Sequence, residues 1–443
     1  MINHPLNCNL YPLITFNLRE GFNLLVEIEK LIYGGMGFAR VDGKATFVSG
    51  GVPGDLLEVT VVKDKRTYAE ARIERIIRPS PERTAPKCFV FGTCGGCQWQ
   101  HINYDFQLKA KAQILAETLL RIGGFRELNI EPIVPSPYEY GYRGRVTLSA
   151  WLEGRRFKLG YHAKGDYRRI PINGCPIASE EINSEIEGVN EFFLKDEYDS
   201  LPFDTINIAS DGKRAHVTFS CIPNGGEGYV HSGSKKDLEL NEAFKGLGFE
   251  DHGEHVFQFE SLGLKFNSVP SIFMQANSRT NEQLVSTVLD WAKLEGNEEV
   301  LDLFSGVGNF SLHIAKGARG VLGVEVSKTA VSLARRNSTA NMIENVRFVC
   351  SSVASFVAHN SYQRAKFDLI ILDPPREGAR DILEDLLRLS PKRMIYVSCN
   401  PSTLARDLNR LTEKDYKLEK IRPFDMFPQT FHIESVVLLS KFD

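Results

Sequence analysis

Cys399 stands in "IYVSCNPSTLARDL", Ile395 to Leu408, a segment that opens like one buried strand and presents a thiol where the strand should end. Ile395, Tyr396 and Val397 are β-branched or aromatic, and Pro401 halts ladder pairing soon afterwards. A thiol at such a tip is either an inert small hydrophobe or a nucleophile aimed into a pocket. A second group of cysteines, Cys88, Cys94 and Cys97, has the spacing C-x5-C-x2-C, and Cys175 precedes Pro176 further on. Four thiolates bind one zinc tetrahedrally or hold a cubane cluster; the unequal first gap and the Cys-Pro ending lean toward iron and sulfur, but spacing alone does not decide. Cys8, Cys221 and Cys350 sit alone and read as packing or incidental residues.

A glycine turn and two acids define a second kind of chemistry. In "DLFSGVGNFSL", Gly306 and Gly308 permit a tight turn and close backbone approach to a ligand. "GVLGVEV" then places Glu325 nineteen positions after Gly306, at a strand end where an acid accepts from both ribose hydroxyls. A dinucleotide site expects a third glycine for helix packing, and Ser311 occupies that position. The pocket therefore favours adenosine without a pyrophosphate, as in S-adenosylmethionine, over NAD. Asp373 ends another strand in "LIILDPPREG", where Pro374 and Pro375 fix the turn below the ligand. Such a DPP turn also serves enzymes that methylate amino groups, so the pocket indicates methyl transfer and leaves the acceptor open.

These residues need elements to hold them. At 443 residues the chain suggests about two to four domains. An apolar content of 42% lets each bury a core, and a net charge of −3 does not announce a nucleic-acid binder. There is no run of about 18 apolar residues and no signal-peptide pattern, so the expectation is a cytoplasmic chain without a membrane span or structural disulfides. Residues 1–21 read as a poorly ordered arm. Residues 22–80 alternate apolar runs with turn signals, as in a small antiparallel OB-like barrel. Toward its end come Lys63, Lys65, Arg66, Arg72, Arg75, Arg78, Arg83 and Lys87, either an RNA-binding face or a solvated rim. Residues 81–265 form a central α+β domain, with a helix near 104–122 that could pack on the catalytic domain. From 266 to 443, helix and strand patterns alternate and predict a Rossmann-like, doubly wound α/β sheet with its ligand at the strands' carboxyl ends.

The segments "CFVFGTCGGCQWQ", "DLFSGVGNFSL", "ILDPPREG", "VSCNPSTLARDL" and "FDMFPQTFHIESVVLL", in this order, together resemble the RNA uracil-C5 methyltransferases. "EIEKLIYGGMGFARVDGKATFVSGGVPGD" looks like the TRAM domain that precedes the catalytic part in many members. The resemblance implies that Cys399 is the nucleophile and that Glu434, in "HIES", is the base; His432 is the alternative base. It implies that Gln275, Phe304, Glu325 and Asp373 surround S-adenosylmethionine, with Asn309 as a further contact. It also implies a 4Fe-4S cluster on Cys88, Cys94, Cys97 and Cys175. Phe273 is expected either to stack on the flipped base or to belong to the core. Ser351 and Ser352 replace the acid or amide common near the adenine, and no contact is assigned to them. The expected partner is RNA, 23S ribosomal RNA ahead of transfer RNA, acted on by a monomer. An amino-group methyltransferase would leave Cys399 and Glu434 without roles, and a noncatalytic RNA-binding protein would leave the cofactor pocket unexplained.

Overall fold

The computed structural model describes residues 21–194, 201–220, 256–359 and 366–442, apart from the single positions 22, 202 and 414. The arm read at the amino terminus lies outside the described residues except for Gly21, as do Cys8 and Cys221. The chain divides into two compact units, Met1–Arg83 and Thr84–Asp443.

The first unit is a six-stranded sheet of β1 (Asn23–Glu27), β2 (Lys30–Leu31), β3 (Gly37–Val41), β4 (Lys44–Ser49), β5 (Leu56–Asp64) and β6 (Tyr68–Arg78), in the order β1-β5-β6-β4-β3-β2. Period-two alternation builds its core: Leu57 and Val59 of β5 point inward with Val26, Val48 and Ala71. The turn pattern predicts antiparallel pairing throughout, but β4 and β6 run parallel, with β5 as the crossover that such a pair requires. Strand pairing also changes the meaning of the basic run. Lys63, Arg72, Arg75 and Arg78 lie against Glu70, Glu74, Glu58 and Glu27, and Arg83 reaches the fully buried Asp55. Asp55 also accepts from the Val52 and Ser80 amides, at 2.6 and 2.8 Å, and so fastens the turn before β5 to the chain leaving β6.

The second unit opens with the cysteine-bearing loop and α1 (Tyr104–Arg121), which is capped by Asn103 and followed by Gly123 and Gly124. A five-stranded antiparallel sheet follows, ordered β11-β10-β7-β8-β9. It consists of β7 (Arg145–Glu153), β8 (Arg156–His162), β9 (Arg169–Pro171), β10 (Thr205–Ser210) and β11 (Ala215–Ser220). One face, with Leu148, Phe157, Leu159 and Ile206, packs on α2 (Glu180–Phe193), whose Ile182, Ile186, Val189 and Phe193 recur at helical spacing. The hairpin β12 (Phe257–Ser261) and β13 (Leu264–Ser268) then leads to α3 (Ser278–Ala292).

The catalytic sheet contains β14 (Glu299–Leu303), β15 (Gly320–Glu325), β16 (Val346–Cys350), β17 (Leu369–Leu372), β18 (Arg393–Ser398), β19 (Tyr416–Phe424) and β20 (Glu434–Lys441). Its order is β16-β15-β14-β17-β18-β20-β19, with β14 to β18 parallel and β20 antiparallel to both of its neighbours. The crossovers run through α4 (Ser311–Ala315), α5 (Lys328–Ala340), α6 (Val353–Ala358), α7 (Leu383–Leu389) and α8 (Pro401–Thr412). This is the doubly wound arrangement that the alternating pattern predicts. Strand order reverses at β14, so a crevice opens at the carboxyl ends of β14 and β17.

Helix α1 belongs to this catalytic layer: Leu115 and Leu119 share a buried cluster with Leu301, Tyr396 and Leu404. Its polar side chains grip the segment that precedes β20. Lys111 and Asp425 form a fully buried ion pair at 2.6 Å, and Lys111 also donates to the Phe427 carbonyl at 3.0 Å. The Gln107 side chain donates to Gln429 Oε1 at 3.0 Å, and its own carbonyl accepts from the Gln429 amide at 2.9 Å. Lys111→Ala leaves a buried carboxylate unpaired and should cost about 3–5 kcal/mol in urea unfolding. The double replacement Lys111→Met with Asp425→Leu should recover most of that loss, and equal loss in both variants would contradict the assignment.

Candidate active site

The chain leaves β14 through a turn that only certain residues tolerate. Phe304, Gly306 and Gly308 have φ of 65°, 54° and 95°, all in the left-handed region. At Gly308 a Cβ would also lie 3.1 Å from Leu312 Cγ and 3.3 Å from Phe348 Cζ, so the turn closes tightly onto the first helical residues. Glu325, at the end of β15, faces this turn: its carboxylate accepts from the Gly306 amide at 3.1 Å and from the Ser327 amide at 2.8 Å. Each oxygen keeps a further lone pair for a ligand hydroxyl. Beneath the turn, buried Asp302 accepts from Ser311 Oγ, and burial pushes its carboxyl up to about 7. This explains the serine that breaks the dinucleotide pattern: its hydroxyl serves Asp302.

The other expected cofactor contacts are less uniformly placed. Gln275 donates to Asp373 Oδ2 at 3.4 Å, joining the loop before α3 to the end of β17. Asn309 exchanges amide hydrogen bonds with Asn281 at 2.9 and 3.1 Å. Ser352 caps α6 through a bond from the Ser355 amide, which accounts for a small hydroxyl residue there.

β18 ends at Ser398, paired with Ser435 of the antiparallel β20. Cys399 and Glu434 are the next residues along this register, and the Glu434 carboxylate is near enough to raise the Cys399 thiol. Glu434 is 2% exposed, and its Oε1 has no hydrogen-bond partner. Burial, with the nearby Asp373 carboxylate, holds Glu434 well above the usual carboxylate range. Asp373 is pushed up to about 7 by burial and by Asp302. The Cys399 thiol is pushed up to about 12, first by burial and then by Glu434 and Asp373. Asn400 caps α8 by accepting from the Ser402 amide at 3.0 Å, while its Nδ2 donates to the Arg376 carbonyl at 3.0 Å. Asp407 accepts from Tyr396 Oη and the Ala379 amide, both at 2.7 Å, locking the Asp-Pro-Pro loop onto the strand and helix that flank Cys399. His432 packs against Phe431 at 4.3 Å, and burial followed by Arg376 pushes its imidazole down to about 4. Phe273 is 68% exposed, so it is not a core aromatic. The sequence alone assigns no role to Asp302, Arg376 or Asp407, although all three lie inside the motifs singled out above.

Cys88, Cys94, Cys97 and Cys175 line one cavity of about 20 Å³, together with Tyr161, whose buried hydroxyl has no hydrogen-bond partner. Burial raises the Cys97 thiol to about 12 and also raises Cys88 and Cys94. Among the described residues, no group of three or more His, Cys, Asp or Glu gathers closely enough to hold a single metal ion. The loop is remote in sequence from Cys399 yet joined to its surroundings: the Gln98 and Trp99 amides donate to the Gln429 carbonyl at 3.1 and 2.9 Å.

A doubly wound sheet with a glycine turn after its first strand, an acid at the end of its second and an Asp-Pro-Pro loop is that of an S-adenosylmethionine-dependent methyltransferase. Comparison with known proteins narrows the class. Residues 250–442 match the family model described as tRNA (Uracil-5-)-methyltransferase, and residues 18–73 match the TRAM domain. An uncharacterised RNA methyltransferase of Thermosynechococcus vestitus is 34% identical, over 95% of this chain and 99% of its own. The 23S rRNA (uracil(1939)-C(5))-methyltransferase RlmD of Klebsiella pneumoniae is 32% identical, over 94% of this chain and 96% of its own. The tRNA (uracil-54, C5)-methyltransferase of Pyrococcus abyssi, solved with S-adenosyl-L-homocysteine, superposes with a TM-score of 0.67 at 26% identity, covering 94% of this chain and 99% of that one. The chain belongs to the RNA uracil-C5 methyltransferase family and is an RNA (uracil-5-)-methyltransferase.

Glu325→Ala should weaken S-adenosylmethionine binding by about 1–3 kcal/mol, the cost of leaving polar groups unpaired. An unchanged dissociation constant in calorimetry would show that Glu325 does not meet the ribose.

Proposed function

We propose that the enzyme methylates C5 of a uridine in 23S ribosomal RNA through a covalent bond between Cys399 and C6, with Glu434 removing the C5 proton. The observation that carries this reading is the β18–β20 register, which ends with Ser398 opposite Ser435 and leaves Cys399 and Glu434 next in line, with the Glu434 carboxyl buried and one of its oxygens unpartnered. C5 of uracil is a poor nucleophile. Addition of the Cys399 thiolate to C6 moves the ring electron pair into an enolate, whose C5 attacks an electrophilic methyl group. The donor's carbon–sulfur bond breaks and its electron pair stays on that sulfur. C5 then carries both methyl and hydrogen. Glu434 takes this proton, the C5–H pair restores the C5=C6 bond, and the C6–S bond releases the thiolate. S-adenosylmethionine supplies the methyl group on a positively charged sulfur, and Glu325, Phe304, Gln275 and Asp373, with Asn309 beyond them, are the residues that would hold it. His432, depressed and packed among phenylalanines, is a positioning residue in this reading. The exposure of Phe273 supports a role in stacking on a uracil swung out of its strand.

The overall match to RlmD relatives favours ribosomal RNA. The structural likeness to a tRNA methyltransferase keeps transfer RNA as the second reading. We further propose that Cys88, Cys94, Cys97 and Cys175 hold a 4Fe-4S cluster. Four thiols on one cavity support it, and a cluster needs wider thiol spacing than one tetrahedral zinc. No methyl-transfer step requires it. The protein is read as a cytoplasmic monomer.

Glu434→Gln should still form the adduct and move the methyl group, yet fail at elimination. It should therefore run as a slow band joined to RNA on a denaturing gel, and that band should vanish in Cys399→Ala. Turnover near the wild-type rate would move the base elsewhere. Because burial pushes the Cys399 thiol up to about 12 and it attacks as the thiolate, log kcat/KM should rise with pH through the neutral and mildly alkaline range, where the thiol is still protonated. A falling profile would contradict attack by the thiolate. Protein purified without oxygen should be brown and contain about four irons per chain; colourless protein with one zinc would refute the cluster.

A further inference from the structure

The central sheet has a second face. Alternation sends Leu148, Phe157 and Leu159 onto α2 and leaves Thr147, Ser149, Trp151, Lys158, His162 and Arg169 on the opposite side. The register sets Trp151 across from Lys158 and His162 across from Arg169. The Arg169 guanidinium lies 5.6 Å from the centre of the Trp151 ring, and Ser149 Oγ lies 3.0 Å from His162 Nε2. Tyr167, in the turn between β8 and β9, is 95% exposed. From Arg145 to Arg169 the chain carries seven Lys or Arg against two acids, in a protein of net charge −3. Those acids, Glu153 and Asp166, approach Lys158 and Arg168 only at 3.9 and 3.8 Å, exposed pairs that a phosphate can replace.

This face is also continuous with the active site. Arg145, at the start of β7, donates to the Pro270 carbonyl at 3.0 Å and to the Ser271 carbonyl at 3.3 Å. Those carbonyls begin the loop that carries Phe273 and Gln275. We propose that the open face of the central sheet is a docking surface for the single-stranded RNA flanking the target uridine. Lys158 and Arg169 neutralise its phosphates, and Trp151 and Tyr167 offer rings to its unstacked bases. A polar, cationic sheet with aromatic rings suits a polyanion with exposed bases better than an apolar protein partner. The proposal rests on the RNA methyltransferase reading and adds to it a place where the strand lies.

The test measures binding of a single-stranded oligouridine of about 20 nucleotides across a salt series. Lys158→Glu with Arg169→Glu should weaken binding about tenfold and lower the slope of log Kd against log salt by about 1.4, the loss of two phosphate contacts on a single strand. S-adenosylmethionine binding should stay unchanged, which certifies the fold. A matched reversal of Arg319 and Arg388, exposed cations elsewhere in the same unit, should have little effect on either quantity. Equal weakening by the two reversals, or no weakening by the first, overturns the proposal. So does tighter binding of a polyglutamate peptide than of oligouridine. If the double reversal fails to bind cofactor, Tyr167→Ala replaces it: weaker oligouridine binding supports the surface, and unchanged binding overturns it. Methylation of bulk RNA by the wild-type enzyme checks the underlying reading separately.

Discussion

The antiparallel insertion of β20 between β18 and β19 is the constraint on which the site depends. A strand's side chains alternate with strict period, so a one-residue slip of β20 would turn Glu434 away from Cys399. The register is held from both sides. Ser398 faces Ser435 on one edge, and Phe424 faces Glu434 on the other. Helix α1 then fixes the incoming segment through Lys111–Asp425 and the reciprocal Gln107–Gln429 pair, and the cysteine loop adds two amide bonds to the Gln429 carbonyl. Elements far apart in sequence thus converge on a single carboxyl group.

That convergence creates an electrostatic tension. Asp302, Asp373 and Glu434 lie buried within reach of one another's charge, and Cys399 shares their surroundings. Burial and mutual repulsion make each of these groups resist ionisation. A cationic methyl donor is the kind of ligand that relieves such a site, because a positive charge favours the ionised forms of the groups around it. The same burial that raises the acids depresses His432.

Much of the fold was legible because the catalytic half follows its local patterns: the glycine turn, the acid at the end of β15 and the strand ending at Cys399 all fall where their motifs place them. The position of β20 was not legible, since "ESVVLL" reads as a buried strand in any sheet position. Hydrophobic period says which residues are buried, not which neighbour they meet. The pairing of the barrel's basic run was not legible for a related reason, because acids that meet Lys63, Arg75 and Arg78 come from other strands. Nothing in the sequence around Lys111 marks it as buried; only the tertiary structure sets Asp425 against it. Ser311 and Ser352, which departed from the expected patterns, turn out to serve Asp302 and the α6 cap.

The claim that Glu434 removes the C5 proton after Cys399 has added can be tested by following that hydrogen. RNA carrying tritium at uridine C5 is given to the Glu434→Gln enzyme with S-adenosylmethionine, and methyl incorporation and tritium release are counted in the same single-turnover sample. Methyl transfer without tritium release is the result expected if the β18–β20 register brings the nucleophile to its base. Tritium released in step with methyl transfer would contradict it.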